Sequence, residues 1–279
     1  SRVGQINFGQ AAQSGLIDLQ TDLYSLELRW FDHWLKGIDT GLMDEPPVKI
    51  FVMGANVWRD EEEWPPARAL AVPFYLHSGG RLGLDAPDVE EPDAYVYDPA
   101  NPVPTLGGAT LLPPEFPSGA YDQAPIEARP DVLVYTTGIL EADTEVTGPV
   151  QVHLWAASSA PDTDFVARLT DVFPDGRSIN LTDGIVRARY RSAAQGEAPS
   201  LIEPGNPYLY IIDLWATSNV FKAGHCIRLQ ITSSSFPRWD RNPNTGHPLE
   251  TDAELAAAQQ TILHDREHPS FVLLPLISG

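Results

Sequence analysis

The chain has 279 residues, of which 43% are hydrophobic and 20% are charged, the balance of an ordinary globular protein. Its formal net charge of −20 at pH 7 repels phosphate backbones and anionic lipid, so nucleic acid and acidic membranes are not expected as partners. No apolar run is long enough to cross a membrane, and residues 1–4 do not look like a signal peptide. We therefore expect a soluble protein, cytoplasmic or secreted, with one large domain or two smaller ones.

The cysteine, proline and glycine content indicates which kinds of structure the chain can form. Cys226 is the only cysteine, which excludes an intrachain disulfide and a thiolate metal cluster. The 26 prolines and 21 glycines are spread along the chain, a distribution typical of many turns between short strands.

The first predicted element is an amphipathic helix from Asp18 to Gly37, with Asp18 as a possible N-cap and Gly37 as the C-terminal stop. Its apolar residues recur at helical spacing, and three of them, Trp30, Phe31 and Trp34, are bulky aromatics. A face of this kind requires a large neighbouring surface. We interpret the helix as completing a larger body, which need not lie in this chain.

The rest of the chain is predicted to be mainly β. A strand over 48–54 is followed by a turn-rich loop that contains Trp58 and Trp64. Further strands are predicted at Val72 to His77, Ala94 to Tyr97, Val132 to Thr137, Val150 to Ala157, Phe165 to Phe173, Ile185 to Arg191, Tyr208 to Leu214, Ile227 to Ser233 and Phe271 to Ile277.

In residues 186–191 and 227–232 apolar and polar side chains alternate, which predicts strands with one face toward water. A late helix is predicted from Thr251 to Leu263, because Thr251 and Glu254 fit a capping box. Many short antiparallel strands without regular βα alternation predict two packed sheets, a sandwich or jelly roll.

The sequence contains no clear nucleophile. A serine hydrolase of the α/β type carries its nucleophile in G-x-S-x-G, and this motif is absent. The polar-turn serines and the serine run after a strand are not expected to be nucleophiles: Ser78, Ser118, Ser158 and 233–235. Ser1 leaves open an N-terminal-nucleophile amidohydrolase whose α-amine is the general base, against the simpler interpretation that the chain begins there.

Three groups of residues could bind a metal, and each has a simpler interpretation. His264 and His268 are four residues apart, but Pro269 ends any helix there. The acidic stretch 85–93 lacks the D-x-D-x-D-G pattern, and Asp162, Asp164 and the neighbouring Asp171 fit turns that cap backbone amides. We expect no metal and no cofactor, and we expect structural roles for His33, His153 and His225.

Several strings, taken in order, resemble the CocE/NonD family, the cocaine-esterase and X-prolyl dipeptidyl-peptidase-like serine hydrolases. The resemblance covers nearly the whole chain. Its main strings are Phe51-Val52-Met53-Gly54, Trp58-Arg59-Asp60-Glu61, Tyr97-Asp98-Pro99, Asn101-Pro102-Val103-Pro104-Thr105-Leu106-Gly107-Gly108, Asp171-Val172-Phe173-Pro174-Asp175-Gly176, Asp183-Gly184, Gly224-His225, and Ser234-Ser235-Phe236-Pro237-Arg238.

The resemblance implies a mainly β protein, a C-terminal jelly-roll β-sandwich preceded by the last helix and strand of an α/β-hydrolase domain. Residues 1–66 would end the hydrolase domain, and 67–279 would form the jelly roll. In the family the triad histidine lies just before this last helix, so the whole Ser-Asp-His triad is expected to lie outside this chain. The isolated chain is therefore predicted to be inactive, with the missing N-terminal α/β-hydrolase segment as its partner and a small ester or amide as substrate.

The resemblance also implies candidate pocket residues. In the cocaine-esterase branch, the segment after the Gly-Gly turn reaches over the active site with apolar side chains. Here Leu111, Leu112 and Pro113 occupy that position, and Leu112 matches in type, whereas Pro113 replaces an aromatic residue. The alternative is that Leu111 and Leu112 only cover the domain interface.

A different class of function is a binding module. A jelly roll carrying Trp155, Trp215 and Trp239 could present an aromatic platform to a sugar. An exposed, coplanar pair of these rings in a groove would favour the binding module, whereas buried rings would favour the hydrolase fragment.

Overall fold

The computed structural model describes residues 1–12, 16–17, 21–248 and 252–277. The N-terminal part contains four two-residue strands that form two small ladders. These are β1 (Arg2–Val3) with β2 (Ile6–Asn7), and β3 (Leu16–Ile17) with β4 (Thr21–Asp22). The first ladder turns back at Gly4, and Phe8 donates its backbone N–H to the Ser1 carbonyl at 2.9 Å.

Helix α1 (Leu23–Lys36) confirms the predicted amphipathic helix. Asp22 is its N-cap and accepts a hydrogen bond from the Ser25 backbone N–H at 2.9 Å, whereas the predicted cap, Asp18, lies outside the described residues. Gly37 ends the helix in the left-handed region with φ 68°, as predicted. No helix in the described part of the chain is both long and apolar enough to span a membrane.

A hairpin follows, formed by β5 (Val48–Val52) and β6 (Val57–Glu61). Residues 57–61 were expected to be a loop, and that prediction is wrong. The strand forms because the turn at Gly54 and Asn56, both with positive φ, brings residues 57–61 back alongside residues 48–52. Met53 then bonds to β14 (Tyr208–Phe221), donating its N–H to the Ser218 carbonyl at 2.9 Å.

Eleven strands make the main body. Besides β14, they are β7 (Ala69–His77), β8 (Arg81–Gly83), β9 (Asp93–Tyr97), β10 (Leu133–Thr136), β11 (Thr144–Ser158), β12 (Asp164–Val172), β13 (Ser178–Arg187), β15 (Cys226–Thr232), β16 (Ala258–Leu263) and β17 (Phe271–Ile277). A short helix, α2 (Ala124–Glu127), precedes β10. The strands predicted between residues 72 and 277 are present, with the corrections given below.

The strands form two layers. The hydrogen-bonded order is β13-β12-β15-β10-β8-β7-β17-β11-β16-β9, and β14 pairs with β11. The layer of β13, β12, β15 and β10 faces the layer of β7, β17, β11 and β14. Their inner side chains share one hydrophobic core, which includes Leu154, Phe165, Ile212, Leu229 and Val272, each fully buried. This is the predicted β-sandwich.

The outer face of the layer of β13, β12, β15 and β10 is not exposed to water throughout, contrary to expectation. Along β15, Ile227, Leu229 and Ile231 point into the core as predicted, but Gln230 and Thr232 are also buried. Residues 122–132 cover them, because Gln230 donates to Glu127 Oε1 at 2.8 Å and Thr232 donates to the Asp131 carbonyl at 2.7 Å. The polar side chains on the outer face of β15 therefore contact residues 122–132 instead of water.

The predicted helix from Thr251 to Leu263 is wrong. Thr251 lies outside the described residues, residues 252–257 are irregular, and 258–263 form β16. Ala258, Gln260 and Ile262 are buried at every second position, and β16 pairs with both β9 and β11. Those partners lie far away in sequence. Pairing with them stabilises a strand here, although the local capping pattern favours a helix.

The predicted strand over 185–191 is too long at its end. Strand β13 stops at Arg187, and residues 188–190 form one 3-10 turn. The turn forms where the Asp162 carboxylate accepts the Arg189 backbone N–H at 3.0 Å, which replaces the bond that a further strand residue would make.

Candidate functional site

A loop of residues 109–118, here called the 109–118 loop, leaves the sandwich through a narrow base. Gly108 and Gly119 exchange two backbone hydrogen bonds, with N···O distances of 2.7 and 2.9 Å. A Cβ at Gly119 would lie 2.8 Å from Val3 Cγ1 and 3.0 Å from the Gly4 nitrogen. Only glycine fits there, because the N-terminal ladder packs directly against the base.

The three predicted pocket residues all lie on this loop. Leu111 is completely exposed, with a relative accessible surface of 105%, while Leu112 is half-buried and Pro113 is exposed. Nothing in the sandwich core holds these side chains. Their role in a substrate pocket stays a prediction.

A cleft of about 880 Å³ lies beside the loop. The N-terminal ladder, the tip of the β5–β6 hairpin and the ends of β12, β13 and β14 form its other walls. The walls are largely apolar, with Phe8, Phe51, Met53, Leu111, Phe173 and Ile179 among the lining residues. Leu111 therefore borders the cleft, whereas Leu112 and Pro113 do not line it. A cleft of this size and character suits a small apolar molecule or an apolar protein segment.

An aspartate–histidine pair lies in the cleft wall. His225 Nδ1 is 2.8 Å from Asp171 Oδ1, and the imidazole packs at a tilt on Phe173 with ring centroids 4.4 Å apart. Burial raises the pKa of the Asp171 carboxyl, although the hydrogen bond with His225 acts in the opposite direction. This is the hydrogen-bonded structural histidine that the sequence suggested.

The cleft does not contain a nucleophile–base pair. In the part of the chain that the structure describes, no serine hydroxyl is hydrogen-bonded to a histidine ring. Five histidines pair instead with carboxylates: His77 with Glu90, His225 with Asp171, His247 with Asp252, His264 with Asp93 and His268 with Asp265. The serine run 233–235 is buried and bonded to Tyr95, the Val103 backbone and Arg168.

Ser1 shows no arrangement typical of an N-terminal nucleophile. Its amino group donates a hydrogen bond to the Gly9 carbonyl, within the N-terminal ladder.

The carboxylates considered as metal ligands are used in ion pairs and hydrogen bonds. Asp162 and Asp164 are both buried, and they pair with Arg189 and Arg187 at 2.8 Å while sharing the Asn242 amide. Among the described residues, no group of three or more histidine, cysteine, aspartate or glutamate side chains is arranged to hold a metal ion.

Side chains beneath the 109–118 loop were not identified from sequence. Asn180 and Gln123 are buried there, and Arg168 lies behind them in β12, buried on both faces. Arg168 donates to Gln123 Oε1 and to Gln230 Oε1, both at 3.0 Å. An arginine between apolar residues of one strand is the signal that could have found this network, since a buried arginine needs several acceptors.

The three tryptophans of the binding-module hypothesis do not form a platform. Trp215 is 72% exposed, Trp155 is half-buried beside His268, and Trp239 is half-buried beneath the Arg238 guanidinium. In the described ranges these three rings do not contact one another.

The fold and the site define a β-sandwich domain with an apolar loop and a cleft, and the residues that the structure describes do not form a Ser-His-Asp arrangement. The family model for the X-Pro dipeptidyl-peptidase C-terminal non-catalytic domain matches residues 40–273. The chain belongs to this family and corresponds to the C-terminal portion of CocE/NonD family proteins.

Known proteins extend this assignment. The chain is 47% identical over 259 residues to cocaine esterase from Rhodococcus sp. (strain MB1 Bresler), covering 89% of this chain and 45% of that protein. Among solved structures, it is similar to an aminopeptidase from a marine sediment archaeon, Thaumarchaeota archaeon, with a TM-score of 0.79 and 31% identity over 91% of this chain and 44% of that one.

It is also similar to an α-amino acid ester hydrolase, with a TM-score of 0.77 and 30% identity over 89% of this chain and 44% of that one. The chain thus spans less than half the length of each of these relatives.

Proposed function

We propose that this chain is the non-catalytic C-terminal part of a serine hydrolase that cleaves ester or amide bonds. The Ser-Asp-His triad lies outside the chain, in an α/β-hydrolase part that is its partner, and the isolated chain is inactive. The observation that carries the proposal is the 109–118 loop, which holds Leu111 fully exposed above a fixed base. An exposed leucine on a rigid support is best explained by a surface that it contacts in the complete enzyme.

The exposed face of helix α1 supports the proposal that the chain has a partner. None of its residues is buried, and Trp30, Phe31 and Trp34 are each more than half exposed. A helix with this apolar face is stable only against another body. The catalytic part of the hydrolase is the body that we propose.

The domain boundary is part of the same proposal. Residues 1–66 would belong to the hydrolase domain, since β7 is the first strand that joins the sandwich sheet. The β5–β6 hairpin, within 1–66, is nevertheless bonded to β14 through Met53, and the family model begins at residue 40. The hairpin is then the contact by which the two domains are fastened together.

In the complete enzyme, Leu111, Leu112 and Pro113 would form one wall of the substrate pocket. An acyl group would pack on this wall while the partner's serine attacks the carbonyl. Since Pro113 is smaller and stiffer than an aromatic side chain, the wall would leave more room than the pocket of cocaine esterase.

The test is a chimera in which this chain replaces the matching 45% of cocaine esterase. Hydrolysis of p-nitrophenyl esters and p-nitroanilides is measured, and a fluorophosphonate label is located by mass spectrometry. We expect esterase activity, with the label on the part contributed by cocaine esterase. A label on a serine of this chain contradicts the proposal.

The pocket residues are tested in the same chimera. The Leu111→Ala, Leu112→Ala double variant should raise KM more for a bulky acyl ester than for the acetyl ester, by about tenfold. Leu84→Ala is the matched control, at a position 61% exposed in another loop, and it should leave KM unchanged for both esters. Equal effects on both esters would mean that the two leucines only cover an interface.

A further inference from the structure

Asn180 connects the two sides of the base of the 109–118 loop. Its side chain is 6% exposed and projects from β13. Asn180 Oδ1 accepts the Tyr121 backbone N–H at 2.7 Å, and Nδ2 donates to the Gly119 carbonyl at 3.2 Å. One amide thus satisfies two backbone groups on the C-terminal side of the loop.

The N-terminal side of the loop is fixed by the same cluster. Gln123 Nε2 donates to the Leu106 carbonyl at 2.9 Å and lies 3.3 Å from Asn180 Oδ1. A Cβ at Gly107 would lie 3.1 Å from Asn180 Oδ1 and 2.6 Å from the Gly119 carbonyl. Around Gly107 the two sides of the base are therefore in direct contact, and even one added carbon atom would not fit between them.

The cluster is also anchored in the sandwich. Arg168 donates to Gln123 at 3.0 Å and lies 3.5 Å from Asp183, which pairs in turn with Arg238. A Cβ at Gly108 would lie 2.9 Å from the Arg238 guanidinium. The direction in which the loop leaves the sandwich is thus set by buried, hydrogen-bonded side chains of β12 and β13.

We propose that Asn180 is a positioning residue, which holds the 109–118 loop so that Leu111 and Leu112 stand at a fixed place in the substrate pocket. This inference rests on the proposed function. Asn180 also borders the cleft, but its amide oxygen and nitrogen are bonded to the Tyr121 and Gly119 backbone groups. Because a misplacement of about 1 Å can cost on the order of 100-fold in rate, a small rotation at the base would reach the pocket as a change of selectivity.

The test uses the chimera with cocaine esterase and the variants Asn180→Ala and Asn180→Asp. Asn180→Ala removes both hydrogen bonds, whereas Asn180→Asp keeps the acceptor for Tyr121 and loses the donor to Gly119. We expect the ratio of kcat/KM for a bulky acyl ester to that for the acetyl ester to fall about tenfold in Asn180→Ala, chiefly through KM, and less in Asn180→Asp. Asn206→Ala, an asparagine in an exposed turn, is the matched control.

Thermal unfolding is measured for every variant, so that loss of fold is recognised. If Asn180→Ala does not fold, Asn180→Asp alone decides. Unchanged selectivity in a folded Asn180 variant, together with altered selectivity in the Leu111→Ala, Leu112→Ala variant, overturns the positioning role and leaves the proposed function standing. Unchanged selectivity in all of these variants overturns the positioning role together with the proposed pocket wall, whereas the hydrolase function is decided separately by the activity and the label of the chimera.

Discussion

Arg59 and Glu145 are joined by two parallel hydrogen bonds, with Nη1–Oε2 at 2.9 Å and Nη2–Oε1 at 2.6 Å. The two residues are 86 positions apart, and the pair fastens the β5–β6 hairpin to β11 of the sandwich. Two-point recognition of a carboxylate is a property of arginine that lysine does not share.

We expect Arg59→Lys to lower the free energy of unfolding by about 1 to 3 kcal/mol, since one charged hydrogen bond is lost and the other is distorted. Chemical denaturation of single variants and of the double variant with Glu145→Gln measures the coupling. Arg177→Lys, in the exposed pair with Asp175, is the control and should cost well under about 1 kcal/mol. Additive effects of Arg59→Lys and Glu145→Gln would mean that the pair does not stabilise the hairpin.

Glu61 makes the stability of the fold depend on pH. The Arg68 guanidinium, followed by Arg59, holds the pKa of the buried Glu61 carboxyl below its usual range. A carboxyl with a lowered pKa stabilises the fold above its unfolded pKa and loses that contribution as pH falls through its folded pKa.

The stability difference between the wild-type chain and Glu61→Gln should therefore be largest near neutral pH and shrink as the pH falls below about 4. Urea denaturation at a series of pH values measures it. A difference that stays constant down to the acid limit would show that Glu61 is not ionised in the fold.

At Gly184, strand β13 lies close against the backbone of β14. A Cβ there would lie 2.0 Å from the Asp213 carbonyl oxygen and 3.4 Å from Ile212 Cγ2. Gly184→Ala should destabilise the sandwich by about 1 to 3 kcal/mol or more, because β13 and β14 must separate. The control is Gly138→Ala, where nothing lies within 4 Å of the added Cβ. Equal melting temperatures for the two variants would contradict this close approach.

The aromatic face of α1 should make the isolated chain associate. Trp30 and Trp34 are 52% and 55% exposed, with ring centroids 5.8 Å apart. We expect a concentration-dependent rise in mass by light scattering, and we expect the Trp30→Ser, Trp34→Ser variant to be monomeric. Trp215→Ser, which removes a ring elsewhere that is 72% exposed, is the control and should associate like the wild-type chain. Association that persists in the α1 variant would assign it to another surface.

Local patterns predicted part of this fold. Helix α1 was predictable because its apolar residues keep helical spacing and Gly37 supplies the left-handed stop. Most strands were predictable as short β-prone runs that turns separate. Strand β16 was not predictable, because it forms by pairing with residues of β9 and β11 that lie more than 100 positions away along the chain. Its own capping pattern predicted a helix instead.

The candidate site was predicted less well than the fold. The position of the 109–118 loop came from family strings, and Leu111 does border the cleft. The side chains that fix the loop are distant in sequence, since Asn180 and Gly119 are 61 residues apart and Asp171 and His225 are 54 apart. No local periodicity brings such pairs together, so only the pairing of strands reveals them.

The paired glycines at 108 and 119 make the segment between them a module. The backbone hydrogen bonds of the two glycines close the loop, and the side chains of Leu111 and Pro113 are exposed. In a flexible loop, each doubling of length costs only about 0.6 kcal/mol in closure entropy. Insertions and replacements between the two glycines are therefore cheap for folding, and evolution or an engineer can vary this segment while the β-sandwich remains unchanged.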